Sequence, residues 1–204
     1  MKSDAIAFGI AGIAFGLIAG WVIGTQQATV RTPAAAAPVA SAPAAEAEPR
    51  AAILDETKVS ALKAVAEREA ANPKPRVELA NLYFDAQKFD DAIKWYEAAL
   101  KLNPNDVNVS TDLGVSYYYT NDPDKALAQL DQSLKIDPKH AKTLLNIGIV
   151  KAFAKQDLEG ASKAWQQVIQ LAPDSPEGQA ARRALDTFKS SHPAIGATAE
   201  KPGA

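Results

Sequence analysis

The residue types that most often carry chemistry are sparse here. The chain has two histidines, His140 and His192, and no cysteine. Lacking a thiol, it can form no disulfide, thiolate metal site, cysteine nucleophile or lipid-modified N-terminal cysteine. Neither histidine has plausible partners in the sequence around it, so both are expected at the surface. No glycine-rich phosphate loop of the P-loop or dinucleotide type is present. Carboxylates are abundant but scattered over helix faces that read as solvated, with no sequence reason to pair. The expectation is a protein that is not an enzyme, with no catalytic residue, metal or cofactor. The 22 basic and 24 acidic residues nearly cancel, and within 53–190 the balance is 18 against 20. Such a balance leaves no electrostatic footprint for a polyanion, so nucleic acid is not an expected partner.

The chain that carries these residues falls into segments of different composition. From Ala5 to Gly24 there is no charged residue. Twenty residues at about 1.5 Å each span roughly 30 Å, the thickness of a bilayer's hydrocarbon core. Residues 1–25 are therefore expected to be a transmembrane anchor, with Trp21 near one interface. A cleaved signal peptide is the competing reading, but its apolar region is usually shorter and ends in a small-x-small site, which Gln26-Gln27-Ala28 does not supply. Lys2 precedes the apolar run and the next basic residue is Arg31. The positive-inside rule then puts the N-terminus in the cytoplasm and the remainder outside, by a margin of about one charge. The expected location is the bacterial inner membrane, with the folded part in the periplasm. Gly12, Gly16, Gly20 and Gly24 recur every four residues. They form one smooth helix face that lets a second helix approach closely, which suits self-association or a membrane partner.

Residues 26–52 are rich in Ala and interrupted by Pro33, Pro38, Pro43 and Pro49. Prolines this frequent break the helix that Ala alone would favour, so an extended linker is expected. Residues 191–204, with Pro193, Gly196, Pro202 and Gly203, read as a disordered tail.

Between them the sequence repeats itself. Pro104, Pro138 and Pro173 are 34 and 35 residues apart and end similar runs: YEAALKLN, LDQSLKID and WQQVIQLA. Leu79-Ala80, Leu113-Gly114 and Ile147-Gly148 recur at spacings of 34. Ala92, Ala126 and Ala161 are each followed four residues later by a bulky side chain, Tyr96, Leu130 and Trp165. Each unit reads as two amphipathic helices whose small residues let the axes come within about 8–10 Å. Asp122 can cap the second helix of the middle unit, with Pro123 at its first position.

These units resemble tetratricopeptide repeats. The first, 73–106, matches with Leu79, Ala80, Tyr83, Ala92, Tyr96, Ala99 and Pro104. The second, 107–140, matches with Leu113, Gly114, Tyr117, Ala126, Leu130, Ser133 and Pro138. The third, 141–175, matches with Ile147, Gly148, Ala161, Trp165 and Pro173. That third unit carries an inserted residue near Lys155-Gln156-Asp157, Lys151 where the family has Tyr, and Val168 where it has a small residue. The family's early Trp is replaced by Arg76, Ser110 and Leu144. The fold implied is all-α, a right-handed α-solenoid of three hairpins over 53–190. Cap helices are expected at 53–71, with Val59, Leu62 and Val65 inward, and at 176–190, with Ala181, Leu185 and Phe188 inward.

For function the resemblance implies a protein-binding scaffold whose first helices line a concave groove. Carried over residue by residue, the groove positions are Lys74, Val77, Asn81, Phe84 and Asp85; then Asn108, Thr111, Asp112, Val115, Tyr118 and Tyr119; then Lys142, Leu145, Ile149, Ala152 and Phe153. Chaperone-binding members hold a peptide's terminal carboxylate in a basic clamp. Asn81 and Lys142 match two clamp positions, but Val77, Asp85 and Asn146 stand where basic or amide partners belong, so that clamp is not expected. The leading expectation is a membrane-anchored scaffold that binds a peptide or helix of an envelope protein through an aromatic and aliphatic groove. The alternatives are a structural oligomerisation protein acting through the glycine face, as a homo-oligomer through the transmembrane helix, and an assembly factor of the cytochrome c maturation type, since similar anchored repeat proteins serve there.

Overall fold

The computed structural model describes residues 52–191. The expected membrane helix with Gly12, Gly16, Gly20 and Gly24, the linker up to residue 51, His192 and the tail lie outside the described residues. Among the described residues no helix is long and apolar enough to cross a membrane, and all regular structure is helical. In chain order the helices are α1 (Glu56–Arg68), α2 (Lys74–Asp85), α3 (Phe89–Leu102), α4 (Val107–Tyr119), α5 (Pro123–Ile136), α6 (Ala141–Phe153), α7 (Leu158–Leu171) and α8 (Pro176–Ser191). The pairs α2/α3, α4/α5 and α6/α7 form hairpins, and each hairpin packs on the next.

Local chemistry sets the starts of these helices. Asp55, Asp106, Asp122 and Asp157 each accept a hydrogen bond from a backbone N–H three residues on, at Lys58, Val109, Lys125 and Gly160. Each such cap satisfies one of the donors a helix leaves open at its first turn, at a value of about 1 kcal/mol. The cap expected at Asp122, with Pro123 behind it, is present.

The turn inside each hairpin repeats as well. Gln87, Asn121 and Gln156 adopt left-handed backbone, with φ of 57°, 62° and 52°. None is glycine, so the conformation costs about 1–2 kcal/mol at each, least at Asn. After the first two, the N–H groups of Lys88 and Asp122 donate to carbonyls five residues back, at Tyr83 and Tyr117. After the third, Asp157 reaches six residues back to Lys151. The inserted residue of the third unit is taken up there, and the helices on either side keep their register.

The small residues act as the spacing implied. A Cβ placed on Gly114 would lie 2.8 Å from Leu130 Cγ, and one on Gly148 would lie 2.2 Å from Trp165 Nε1. Trp165 is fully buried, and its indole N–H donates to the Leu145 carbonyl at 3.2 Å. Two cores result. One joins α1 to the first hairpin and to α4 through Val59, Leu79, Tyr83, Tyr96 and Leu113. The other joins the second and third hairpins through Ala126, Leu130, Ile147, Val150 and Ala164.

At the two ends, α1 packs on α2 and α8 on α7. In α1 the buried residues are Val59 and Ala66, while Leu62 and Val65 are only half-buried. In α8, Ala181, Leu185 and Phe188 are buried, and Phe188 sets its ring edge-on to Trp165 at 5.6 Å.

Candidate functional site

The first helices of the three hairpins, α2, α4 and α6, carry every position named for the groove. Their exposure separates those positions into two sets. Asn81 and Asn108 are exposed, and Phe84, Asp85, Asp112, Val115, Tyr118, Tyr119, Lys142 and Phe153 are half-buried. Thr111, Leu145 and Ile149 are buried, at 0%, 0% and 4% exposure, and so is Ala152. These four correct the sequence reading. Thr111 is turned inward by hydrogen bonds: its hydroxyl donates to the Val107 carbonyl and lies 2.7 Å from the Thr143 hydroxyl, tying α4 to α6. Leu145 and Ile149 belong to a helix that is buried on every side from residue 143 to residue 150, with Thr143 and Asn146 hydrogen-bonded among the apolar residues, which is the pattern of an interior helix. Along α6, only the end residues Lys142 and Phe153 offer surface from the named set.

A polar row crosses the three helices. Tyr96, buried in α3, donates its hydroxyl to Asn81 Oδ1 at 2.7 Å. Lys142 Nζ donates to Asp112 Oδ1 at 2.6 Å, with only 14% and 27% of the two side chains exposed. Asn146 donates its amide to the Lys142 carbonyl at 2.8 Å. Burial raises the Asp112 carboxyl above the usual carboxylate range, although Lys142 opposes the shift. Asp85 is raised too, first by burial and then by the negative charge of Asp112, with Lys58 opposing. Burial followed by these same two carboxylates pushes the Tyr96 hydroxyl well up. Lys142, one of the two residues matching the carboxylate clamp, is therefore already paired inside the protein.

An aromatic cluster flanks the row. Phe84 meets Tyr119 edge-on at 5.7 Å and Phe89 edge-on at 5.3 Å, and Phe89 stacks on Tyr119 at 4.5 Å. Tyr118 sits edge-on to Tyr119 at 5.8 Å and packs against the second core. Burial pushes the hydroxyls of Tyr118 and Tyr119 up to about 12. Phe89 was not foreseen. It opens a second helix and lies outside the groove-lining pattern, yet it bridges the first two hairpins.

His140 is the other correction. Expected at the surface, it is half-buried at the start of α6, with Nδ1 2.7 Å from the Thr143 hydroxyl and 3.5 Å from that of Thr111. Its partners stand three residues on and one repeat away, and the second is invisible to a local reading. Desolvation lowers the imidazole below its usual value.

No group of three or more His, Cys, Asp or Glu side chains among the described residues could hold a metal ion. Among those residues no buried side-chain N or O lacks a hydrogen-bond partner. A cavity of about 630 Å³ lies between α3, α4 and α5, beside Glu97, Ser110, Tyr117 and Gln129. None of the groove positions lines it. Four of its polar groups are engaged in pairs, Tyr117 donating to Glu97 at 2.7 Å and Gln129 to Ser110 at 2.8 Å.

This architecture has relatives. Residues 80–121 match a family model described as TPR repeat, and residues 111–176 match one described as Tetratricopeptide repeat. The chain is 27% identical over 100 residues to Hsp70-Hsp90 organizing protein 3 of Arabidopsis thaliana, covering 49% of this chain and 18% of that protein. It is 31% identical over 100 residues to the BBSome complex member BBS4 of Bos taurus, covering 49% and 19%. The chain thus spans less than a fifth of the length of either. Among solved structures, the first TPR of Spaghetti (RPAP3) bound to the HSP90 peptide SRMEEVD is similar with a TM-score of 0.51 at 22% identity, covering 68% of this chain and 95% of that one. The Sgt2 TPR domain from Aspergillus fumigatus gives 0.55 at 22%, covering 65% and 86%. MamA from Desulfovibrio magneticus RS-1 gives 0.58 at 21%, covering 67% and 75%. At these identities the structural likenesses speak for the fold alone.

Proposed function

We propose that the tetratricopeptide repeats of residues 80–176 hold a peptide or helix of another protein on the face formed by α2 and α4 and by the ends of α6. The observation that carries this reading is the half-buried set Phe84, Val115, Tyr118, Tyr119 and Phe153 along successive first helices. Aromatic side chains at the centre of an interface supply much of its binding energy, and here they come beside a polar row that can fix register. A solved structure of similar fold, the first TPR of Spaghetti (RPAP3), holds an HSP90 peptide, which supports peptide binding as the mode. In this reading the chain acts by binding and carries out no reaction.

We further propose that residues 5–24 anchor the chain in a membrane, with the repeats on the periplasmic side of a bacterial inner membrane and an envelope protein as partner. The uncharged apolar run and the placement of Lys2 and Arg31 support this. The glycine face supports a second role, lateral association of the anchor with itself or another membrane helix.

A photo-crosslinking amino acid placed at Asn108 of the full chain tests the groove. The expected product is an adduct with a different protein, absent when the same group is placed at Lys94 on α3. Adducts at Lys94 only, or adducts solely between copies of this chain, would sink the reading. Protease protection of the repeats in sealed spheroplasts would place them on the cytoplasmic side and reverse the proposed orientation.

A further inference from the structure

We infer that the segment held in this groove presents a cationic side chain, Lys or Arg, to Asp85 and Asp112 beside the Phe84–Tyr119 aromatic pair. The inference rests on the groove reading above and names the chemistry of its occupant.

Charge complementarity points to this occupant. Asp85 ends α2 next to Phe84, half-buried. Among the described residues it makes no ion pair, although Lys58 lies close enough to lower its carboxyl somewhat. The like charge of Asp112 is felt at Asp85, and both are felt at the Tyr96 hydroxyl, which donates to Asn81 on the helix that Asp85 ends. Asp112 has its own cation in Lys142, at 2.6 Å. One half-buried carboxylate is thus left without an ion pair, against a neighbour of the same sign and with Lys58 opposing only in part.

Burying a carboxylate without a cation is unfavourable, and placing it near a second one more so. A Lys or Arg from a partner would relieve both terms at once. It would also lie within reach of aromatic rings, whose faces attract cations. A terminal carboxylate would meet the opposite situation. It would add a third negative charge, and the lysine that matches a clamp position is already bound to Asp112. Lys151, further along α6, is similarly engaged, by Asp157 at 3.2 Å. The groove therefore selects by sign, accepting a positive residue among apolar ones and rejecting an acidic chain end.

The test uses the full 204-residue chain in lipid nanodiscs and fluorescence anisotropy. The probes are two blocked leucine/alanine helical peptides, identical except for one central Lys or Glu, and the peptide SRMEEVD with a free carboxylate. The Lys peptide is expected to bind about tenfold more tightly than the Glu peptide, because the swap exchanges an attraction for a repulsion of similar size, and SRMEEVD more weakly than either. Asp85→Asn, which keeps the side chain's shape, should remove most of the preference, and Asp85→Lys should reverse it. Melting of each variant guards against misfolding, and Asp85→Asn suffices if the Lys variant unfolds. Equal affinity for the two helical peptides, or tighter binding of SRMEEVD, overturns the inference. If that equal binding is lost in Tyr119→Ala, the groove reading survives and only the charge preference falls. Binding that persists unchanged in a well-folded Tyr119→Ala protein, or no binding of any probe, overturns the groove reading and the inference with it.

Discussion

The first and third hairpins are written on the same template and spend it differently. In the first, the outer face of α2 keeps Asn81 exposed and Phe84 and Asp85 half-buried, and its bulky second-helix residue is Tyr96, whose hydroxyl reaches out to Asn81. In the third, α6 is buried from residue 143 to residue 150, and the bulky residue is Trp165, whose indole N–H is satisfied inside by the Leu145 carbonyl. A polar tip at the matching position links the first core to the binding face; an indole closes the third core on itself. The lesson is that a repeat can be altered at a few positions to act either as a recognition surface or as a foundation, without a change of backbone plan.

If that contrast holds, substitutions in the third hairpin should fall mainly on stability and those in the first two mainly on binding. The largest effect is expected from Trp165→Ala, which removes the fully buried indole shared by Gly148, Leu145 and Phe188 and should cost about 3–5 kcal/mol. Chemical unfolding of the full chain followed by circular dichroism would measure it. A loss below about 1 kcal/mol would show that the third hairpin is not the foundation described.

Gly148→Ala comes next. Its new methyl would run into the indole, which is held by its hydrogen bond and by Phe188, so overpacking of about 1–3 kcal/mol is expected. Gly114→Ala should cost less, because the two nearest atoms belong to the Leu130 side chain and the Ala126 carbonyl oxygen stands off at 3.3 Å. The same unfolding experiment ranks the two, and the reverse order would mean that Leu130 is held more rigidly than Trp165.

Tyr119→Ala probes the other side of the comparison. The ring is half-buried against Phe84 and Phe89, so its loss should cost about 1–2 kcal/mol of stability. Affinity for the Lys peptide should fall more, by about tenfold or beyond. Melting and anisotropy on one preparation separate the two effects. A stability loss as large as that of Trp165→Ala would make this ring core and erase the distinction between the hairpins.

The smallest effect is a dependence on pH at the seam between the second and third hairpins. The folded His140 imidazole lies below its unfolded value because of burial. The unfolded chain therefore binds a proton first. The stability that His140 contributes is complete above its unfolded pKa of about 6.5 and is lost as pH falls through the folded value. Asp85 and Asp112, whose carboxyls are raised, act with the opposite sign at more acidic pH, so the readout must be a difference. Unfolding free energy for wild type minus that for His140→Gln should decline between about pH 7 and 5. A flat difference would mean that the imidazole is solvated and the seam carries no such linkage.

The hairpin plan was legible because it is written in short-range terms. Small residues opposite bulky ones, aspartates ahead of helices and prolines after them act within one or two turns, and they recur at a period that shows against the background. Leu79, Ala92, Gly114, Leu130, Gly148 and Trp165 could be assigned to the interior from the sequence alone, and all are buried or closely packed. Which residues of the binding face stay open was settled by contacts between units. Thr111 is drawn inward by Thr143, 32 residues away, Lys142 is neutralised by Asp112, 30 residues away, and Phe89 reaches across to Tyr119. Helical periodicity tells a residue which way it faces on its own helix. Whether that direction meets solvent, a charge or another ring depends on how the next hairpin stacks, and only the tertiary structure fixes that.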